Sequence, residues 1–377
     1  MFFVAGEVSG DIQAALLSRE LRRRNPAIEL LGVGGDRMAA AGVALLLDSA
    51  DWGVIGHITP LLRARQYLRR LRDVQAAIRR VRPDLLVLVD FPGFNLALAS
   101  ALRGTVPVLY YFPPMVSVRR GHRARSVAAL GMRLLATLPF EADAYAAAGA
   151  DVTFVGHPAV DTVRPVWDPA VRRARLGLSP GSRAVGLLPG SRAQEIAALL
   201  PPMLDAARQL RERHRGLEFV VPVPAARLRP AVDRTIARAG LPVHVTADVY
   251  DVMAEAAALV IASGTATLEA AILGAPMVVV YRLPVLSALI AAALLSTRLV
   301  SLPNLLAGRQ IVPELLQYRM TPRRIAGHVD TLLHSGARRS TMTADLRAAA
   351  SRLGPPGAVE RAATEVLTML DHPRGRR

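Results

Sequence analysis

The chain has 377 residues, of which 52% are hydrophobic, and its mean hydropathy of +0.30 predicts a globular protein with large buried cores. It contains no cysteine and no lysine, which excludes disulfides, cysteine-ligated zinc, a thiol nucleophile, a Walker A lysine and pyridoxal phosphate chemistry. All 47 basic residues are therefore arginine, and the net charge of +17 either favours anionic partners (phosphates, lipid headgroups, nucleic acid) or reflects genomic base composition.

Short apolar runs alternate with arginine-studded helical segments along the chain, which is typical of βαβ units and a parallel sheet. In the first half we predict strands at 2–5, 28–34, 85–90, 106–112, 134–139 and 152–156. Helices are predicted between them, for example at 11–24, 61–81 and 94–103. A second series of strands is predicted at 184–190, 217–223, 242–247, 258–263 and 276–282. After residue 340 the pattern is helical.

This pattern predicts an α/β protein with two doubly wound, Rossmann-like parallel-sheet domains facing a central cleft. The Pro- and Gly-rich stretch 156–183 joins the two halves. We therefore place one domain at 1–160, a second at 161–340, and C-terminal helices that pack back at 341–377. Ligands of such sheets bind beyond the carboxyl ends of the strands, so functional residues are expected there.

Two polar residues follow strands of the first half. Asp90 ends a wholly apolar strand, and is either a general base facing the cleft or an acid that stabilises the following turn. His157 is either a hinge or cleft residue or a buried, hydrogen-bonded histidine, and the second interpretation is slightly favoured. The turn at 5–11 and the sequence GVGGDRM lack the GxGxxG pattern, so a nicotinamide cofactor is not expected.

Two strand-to-helix turns of the second half carry glycine and hydroxyl residues. They are LLPGSRAQEI (187–196) and ASGTATLEA (262–270). Backbone N–H groups at the two helix starts, together with Arg192, suit phosphate, and Glu269 suits ribose hydroxyls. Each turn alone is typical of an ordinary helix cap, whereas the pair favours a nucleotide diphosphate. The segment 301–317 is expected to be a loop followed by an amphipathic helix.

Apolar runs in this chain are shorter than the roughly 18–20 residues of a membrane-spanning helix. The nearest, 283–296, lies between Arg282 and Arg298 and suits a buried or interfacial helix. No signal-peptide pattern is visible, so a cytoplasmic protein is expected. The eight histidines show neither HExxH nor HxxxH spacing, so no metal site is expected.

Taken together, seven motifs resemble the lipid-A-disaccharide synthase family. They occur in the family's order and cover nearly the whole chain, and the segments 263–270 and 301–317 are the most specific. The motifs are AGEVSGD (5–11), GVGGDRM (32–38), DFPGFN (90–95), LPFEADAYAAAGADVTFVGHP (138–158), LLPGSRAQEI (187–196), ASGTATLEA (262–270) and SLPNLLAGRQIVPELLQ (301–317).

The resemblance implies a GT-B fold and an inverting, metal-independent transfer. The donor would be UDP-2,3-diacylglucosamine, the acceptor 2,3-diacylglucosamine 1-phosphate, and the products a β-1,6-linked disaccharide 1-phosphate and UDP. It implies no cofactor, with the UDP-sugar as a substrate. The expected location is the cytoplasm, in peripheral contact with the inner face of the membrane, and a homodimer is left open.

Residue by residue, the resemblance implies Asp90 as the catalytic base. The residues implied for nucleotide and donor binding are Gly190, Ser191, Arg192, Glu195, Ser263, Gly264, Thr265, Ala266, Thr267, Glu269, Asn304, Arg309 and Glu314. The residues implied for acceptor or cleft contacts are Glu7, Ser9, Gly10, Asp11, Asn95 and His157.

The chain departs from the family's usual motifs in its first half. Gly93 stands where a second Asp is usual, Asp36 where Pro is common, and Thr59 where Glu occurs, while FPPMVSV (112–118) lacks one serine and two tryptophans of the usual SPSVWAW. These differences leave open a UDP-sugar transferase with another lipid acceptor. A UDP-sugar 2-epimerase and a non-catalytic lipid-binding relative are further alternatives. A nucleic-acid-binding protein is disfavoured, because the arginines lack interleaved aromatic residues.

Overall fold

The computed structural model describes residues 1–49, 52, 60–116, 121–282 and 299–371, with the side chains of 60–64 outside the description. The chain forms two compact units: Met1–Asp161 with Leu353–Arg377, and Thr162–Arg352. The first boundary differs by one residue from that expected from the sequence. The predicted C-terminal segment 341–377 is divided between the two units rather than standing apart.

The first unit contains a parallel sheet of seven strands in the order β3-β2-β1-β4-β5-β6-β7. Its strands are β1 (Phe2–Ala5), β2 (Leu31–Gly34), β3 (Ala44–Asp48), β4 (Leu86–Val89), β5 (Val108–Tyr111), β6 (Arg133–Ala136) and β7 (Asp151–Phe154). Only β3 was not predicted. It lies at the sheet edge, where its residues alternate between exposed and half-buried instead of forming a buried run.

Helices follow the strands in the alternation that the sequence predicts. In this part of the chain they are α1 (Val8–Arg24), α2 (Asp36–Ala40), α3 (Pro60–Val81), α4 (Pro92–Ala101), α5 (Gly121–Ala128), α6 (Pro139–Ala147) and α7 (Ala159–Thr162). Both faces of the sheet are buried, because Phe2 and Leu86 belong to one core and Phe3 and Val87 to the other. Burial on both faces explains why these strands are continuous apolar runs.

The second unit contains a parallel sheet of six strands in the order β10-β9-β8-β11-β12-β13. Its strands are β8 (Arg183–Leu188), β9 (Leu217–Pro222), β10 (His244–Thr246), β11 (Ala258–Ala262), β12 (Met277–Tyr281) and β13 (Glu314–Leu316). The remaining helices are α8 (Pro169–Arg175), α9 (Ala193–Arg213), α10 (Arg229–Ala239), α11 (Val249–Glu255), α12 (Thr265–Ile272), α13 (Leu302–Ala307), α14 (Pro322–His334), α15 (Gly336–Ser351) and α16 (Ala358–Asp371), with 3-10 turns at Ala226–Leu228 and Gln317–Arg319.

The expectation of a loop followed by a helix at 301–317 is wrong. The segment begins with the helix α13 and ends in the strand β13, which pairs in parallel with β12. Three residues are too few to produce a recognisable strand pattern, so β13 could not be predicted.

No helix in the described parts of the chain combines the length and the apolar character needed to span a membrane. The apolar run 283–296 lies outside the described residues, as do Thr59 and residues 117–118.

Candidate functional site

Asp90 lies directly beyond the carboxyl end of β4, in the interior of the first sheet. Its φ is 52° and that of Phe91 is 53°, so two consecutive non-glycine residues adopt the left-handed conformation. Such residues cost about 1–3 kcal/mol each and persist only where surrounding contacts hold them. Strain of this kind clusters at functional sites, which singles out the 90–91 turn.

The contacts that hold Asp90 come from three elements. Its amide donates to the Tyr111 carbonyl at 3.1 Å, and its carbonyl accepts from Asn95 Nδ2 at 2.7 Å and from the Tyr110 hydroxyl at 2.8 Å. Ser9 Oγ donates to Asp90 Oδ2 at 2.8 Å. Within the described residues Oδ1 has no hydrogen-bond partner, and the side chain is partly exposed. One carboxylate oxygen is therefore available to a substrate.

Two glycines allow the start of α1 to approach this turn. A Cβ on Gly6 would lie 2.1 Å from the Phe91 ring, and a Cβ on Gly10 would lie 3.2 Å from the Val89 carbonyl oxygen. A side chain at Gly6 would therefore displace the Phe91 ring, and one at Gly10 would be tight against β4, which accounts for glycine at both positions of AGEVSGD. Glu7 immediately precedes α1, so Glu7, Ser9 and Gly10 all lie at the carboxyl edge beside β4.

Asp11 and Asn95 are engaged inside the protein. Asp11 accepts hydrogen bonds from the backbone amides at the start of α2, those of Gly35 at 2.9 Å and of Arg37 and Met38 at 3.1 Å. Asn95 is 0% exposed. Both residues therefore hold the edge of the sheet together, and the role of acceptor contact stays a prediction.

His157 is a buried, hydrogen-bonded histidine, the interpretation that the sequence slightly favoured. It is 5% exposed, its Nδ1 accepts from the Ala159 amide at 3.1 Å, and its ring packs edge-on against Phe112 with centroids 5.5 Å apart. Burial lowers the pKa of His157 to about 4, so the ring is neutral at physiological pH.

Glu141 was not singled out from the sequence. It is the third residue of α6 and is only 4% exposed. Burial, and then the charge of Asp90, raise the pKa of Glu141 well above its ordinary value. An acidic residue in a first helical turn is normally a solvated partner of the helix dipole, so nothing in the sequence marked it as buried.

The 190–192 turn of the second unit is closed by its own helix. Gly190 has φ 104°. Glu195 Oε2 accepts from the amides of Ser191 and Arg192 at 3.1 and 3.3 Å, and Arg192 Nη1 pairs with Glu195 Oε1 at 3.1 Å. Two amides expected to bind phosphate are thus bonded internally. The Arg192 side chain is 56% exposed and remains accessible.

The 264–266 turn is open. Gly264 has φ 152°, and the space beside it is empty. In the described structure the amides of Gly264, Thr265 and Ala266 have no hydrogen-bond acceptor, whereas Thr267 is buried and its Oγ1 donates to the Gly264 carbonyl at 2.7 Å. The Ser263 amide donates to the Val280 carbonyl at 3.0 Å. Free amides at the positive end of α12 form an anion-binding arrangement.

Glu269 lies one turn further along α12. The Tyr250 hydroxyl donates to Glu269 Oε1 at 3.2 Å, which fixes the carboxylate beside the open turn. Burial raises the pKa of Glu269, and burial together with Glu269 raises the pKa of Tyr250 to about 12. The sequence did not identify Tyr250. The two predicted turns do lie side by side, because β8 and β11 are paired.

Asn304, Arg309 and Glu314 have internal partners. Asn304 Nδ2 donates to Glu314 Oε1 at 2.7 Å and to the Val312 carbonyl at 3.0 Å, while its Oδ1 accepts the amides of Ile311 and Val312. Glu314 also accepts from the amides of residues 300 and 301. Arg309 pairs with Asp345 at 2.6 Å. Donor binding by these residues stays a prediction, and their observed contacts connect α13, β13 and α15.

One group in the described structure has a geometry that suits a metal ion. His214 Nε2 lies 2.6 Å from Asp330 Oδ1, and His334 Nδ1 lies 3.2 Å from the same atom. Two guanidinium groups flank it, since Arg183 is 3.5 Å from His214 Nδ1 and Arg213 is 3.9 Å from Asp330. Positive neighbours oppose a cation, so hydrogen bonds and ion pairs account for this group. The histidine spacing did not reveal it.

Nearly the whole chain matches a known family. The family model described as lipid-A-disaccharide synthetase matches residues 1–362. The chain belongs to the lipid-A-disaccharide synthase family. The lipid-A-disaccharide synthase of Geobacter sulfurreducens is 40% identical over 372 residues, which cover 98% of this chain and 97% of the relative. The lipid-A-disaccharide synthase of Myxococcus xanthus is 42% identical over 375 residues, which cover 99% of this chain and 97% of the relative.

Membership of the lipid-A-disaccharide synthase family confirms the predicted resemblance, enzyme class and function, a UDP-dependent glycosyltransferase of lipid A biosynthesis. Solved structures confirm the GT-B type of fold. The Neisseria meningitidis UDP-GlcNAc 2-epimerase bound to UDP-GlcNAc has a TM-score of 0.67 at 12% identity, covering 97% of this chain and 99% of its own. The calicheamicin glycosyltransferase CalG4 has a TM-score of 0.62 at 19% sequence identity, and the match covers 99% of this chain and 98% of that one. Identities this low concern the fold alone, so they do not support the epimerase alternative.

Proposed function

We propose that this chain transfers 2,3-diacylglucosamine from UDP to the 6-hydroxyl of 2,3-diacylglucosamine 1-phosphate, with Asp90 as the general base. The observation that carries the proposal is the anchored carboxylate of Asp90, with Oδ1 unbonded in the described structure and the backbone strained. In the transfer the acceptor O6–H proton passes to Asp90 as the new C1–O6 bond forms. The C1–O bond to phosphate breaks with inversion, and UDP leaves with its negative charge.

The open turn of α12 is proposed to hold the UDP. Its three amides have no acceptor in the described structure and suit the diphosphate, and the exposed Arg192 guanidinium adds a charged donor. Glu269, fixed by Tyr250, suits the ribose hydroxyls. These groups stabilise the charge that develops on the leaving UDP, which is the work a metal ion would otherwise do. No metal cofactor is therefore proposed.

Exposed apolar side chains beside Asp90 support a lipid acceptor. Val8 follows β1 and is 62% exposed, and Met115 follows β5 and is 53% exposed. Because β4 lies between β1 and β5, the two residues follow the strands that flank the one that carries Asp90. Such positions suit acyl chains at a membrane surface, so peripheral membrane contact is part of the proposal. A transferase with a different lipid acceptor is the second candidate, since Gly93 stands where a second Asp is usual in the family and a Cβ at Gly93 would meet no atom within 4 Å.

Mass spectrometry tests this function directly. The protein is incubated with UDP-2,3-diacylglucosamine and 2,3-diacylglucosamine 1-phosphate in the presence of a chelator, and the disaccharide 1-phosphate and UDP are measured. The Asp90→Asn variant should lose about 10²- to 10⁴-fold in kcat with UDP affinity kept. The control is Asp84→Asn, an exposed acid before the opposite end of β4. Equal activity of the two variants would remove Asp90 as the base, and turnover only with another lipid would favour the second candidate.

A further inference from the structure

The carbonyl of Asp90 accepts two hydrogen bonds from buried side chains. Asn95 Nδ2 is 2.7 Å and the Tyr110 hydroxyl 2.8 Å from this oxygen. Both residues are 0% exposed, so neither can contact a substrate. A backbone carbonyl has two lone pairs, and both are used here by side chains rather than by a neighbouring strand.

The orientation of the Asn95 amide indicates what it is for. Its Nδ2 also lies 3.3 Å from the Val89 carbonyl oxygen and 3.4 Å from that of Val4, so its donors face carbonyl oxygens. Its Oδ1 is buried without a partner in the described structure. A buried acceptor without a hydrogen bond costs free energy. Asn95 bears this cost at Oδ1 because its amide is turned so that Nδ2 faces the carbonyl oxygens at the end of β4.

The same carbonyl begins the peptide that joins two left-handed residues. Asp90 and Phe91 have φ values of 52° and 53°, a conformation that side chains with a Cβ disfavour. Rotation of this peptide would relax the strain, but it would also turn the carbonyl away from its two donors. The donors therefore oppose the relaxation, and they hold the backbone that carries the Asp90 side chain.

We propose that Tyr110 and Asn95 are positioning residues that hold the Asp90–Phe91 peptide in its left-handed conformation and thereby aim the Asp90 carboxylate at the acceptor hydroxyl. The proposal rests on the role of Asp90 as the base. It adds to the base two buried residues that do not touch the substrate, Tyr110 on the neighbouring strand β5 and Asn95 on α4. A small misplacement of a catalytic group lowers the rate steeply, so loss of either donor reduces kcat without touching a substrate contact.

The test compares two tyrosine variants. Tyr110→Phe removes the hydrogen bond to Asp90, and Tyr145→Phe removes an equivalent one, because Tyr145 is also 0% exposed and donates to the Pro114 carbonyl at 2.7 Å. Each variant loses one buried hydroxyl, so similar falls in Tm are expected. We expect Tyr110→Phe to lower kcat about 10-fold or more, with the acceptor KM and the UDP Kd unchanged, and Tyr145→Phe to stay within about 2-fold of the parent enzyme.

Equal kcat values for the two variants would overturn the positioning role, as would a loss that appears in KM or in the UDP Kd. The Asp90→Asn variant measured in parallel separates the two proposals. If Asp90→Asn is inactive and the tyrosine variants are alike, only the positioning role fails. If Asp90→Asn is active, the assignment of the base fails and the positioning role fails with it.

Discussion

The carboxyl edges of the two sheets differ in what they present to a ligand. In the first sheet the turn after β4 uses left-handed non-glycine residues, the buried side chains of Asn95 and Tyr110 hold its carbonyl, and the exposed Ser9 hydroxyl holds its carboxylate. In the second sheet the turn after β11 is built on Gly264, and its amides have no acceptor in the described structure. One edge fixes a side chain, and the other exposes a backbone.

The difference follows from what each edge is proposed to bind. A base must be held at one position and angle, which needs a side chain and contacts to restrain it. A diphosphate accepts several hydrogen bonds at once, which backbone amides at a helix start supply without side-chain entropy loss. The neighbouring 190–192 turn shows that glycine alone is not enough, because Glu195 already occupies two of its amides.

At the carboxyl edge of the second sheet, here called the open edge, the largest effect is expected from Gly264→Ala. At φ 152° an alanine is strained by about 1–3 kcal/mol, so the turn should rearrange and its amides should no longer converge. We expect UDP affinity, measured by isothermal titration calorimetry, to fall about 30-fold. Gly240→Ala is the control, since Gly240 has φ 61° and open space at the end of α10. Unchanged UDP affinity in Gly264→Ala would show that the open edge does not bind the diphosphate.

Glu141→Gln tests the buried acid of the first edge through pH. Since burial raises the folded-state pKa of Glu141 above its unfolded value, its stability contribution is present below the unfolded pKa and is lost as pH rises through the folded pKa. The free energy of unfolding of the variant, relative to the parent, should therefore increase with pH above about 4.5, by at most about 1.4 kcal/mol per pH unit. Urea unfolding at several pH values measures this.

The matched control for Glu141→Gln is Glu360→Gln. Glu360 is likewise the third residue of its helix, α16, but it is exposed. Its substitution should leave the pH dependence nearly unchanged. The same slope in both variants would mean that Glu141 is solvated in solution, and the first edge would then be as open as the second.

Arg192→Ala should have a smaller effect than Gly264→Ala. A hydrogen bond to a charged group contributes about 1.5–3 kcal/mol. Because Arg192 is 56% exposed and forms an ion pair with Glu195, we expect the free energy of UDP binding to weaken by only about 1 kcal/mol. Arg208→Ala is the control, because Arg208 lies on α9, the helix that Arg192 precedes, is 48% exposed and pairs with Asp205 in the same i,i+3 spacing. Equal Kd values for the two variants would place the phosphates away from α9.

Gly93→Asp should have the smallest effect and a favourable one. A Cβ at Gly93 meets no atom within 4 Å, and the residue lies in the first turn of α4, where a carboxylate interacts well with the helix dipole. We expect a gain of about 0.5 kcal/mol in the free energy of unfolding by urea, with kcat unchanged. A loss of stability would mean that the first edge is more tightly packed than its empty space indicates.

Most strands and the strand-to-helix turns after β1, β4, β8 and β11 could be predicted, because buried parallel strands appear as apolar runs and glycine marks the turns. The edge strand β3 and the short strand β13 could not, since one is half-solvated and the other has three residues. Periodicity also does not reveal which polar groups satisfy each other. Glu195, Asn304 and Glu314 were predicted to bind the donor, yet each has hydrogen bonds within its own unit. Tyr110, Tyr250 and Glu141 gained their importance only from burial and long-range contacts.

The return of α16 to the first unit has a consequence for synthesis on the ribosome. Ala362, Ala363 and Val366 complete a core that includes Phe3 and Val87, and Arg133 pairs with Glu365 at 2.6 Å. The second unit lies between these partners in sequence, so its residues 162–352 leave the ribosome before residue 353. The part of the chain translated first therefore finishes folding last, and until then one hydrophobic face of its sheet lacks part of its cover and is a natural binding site for chaperones.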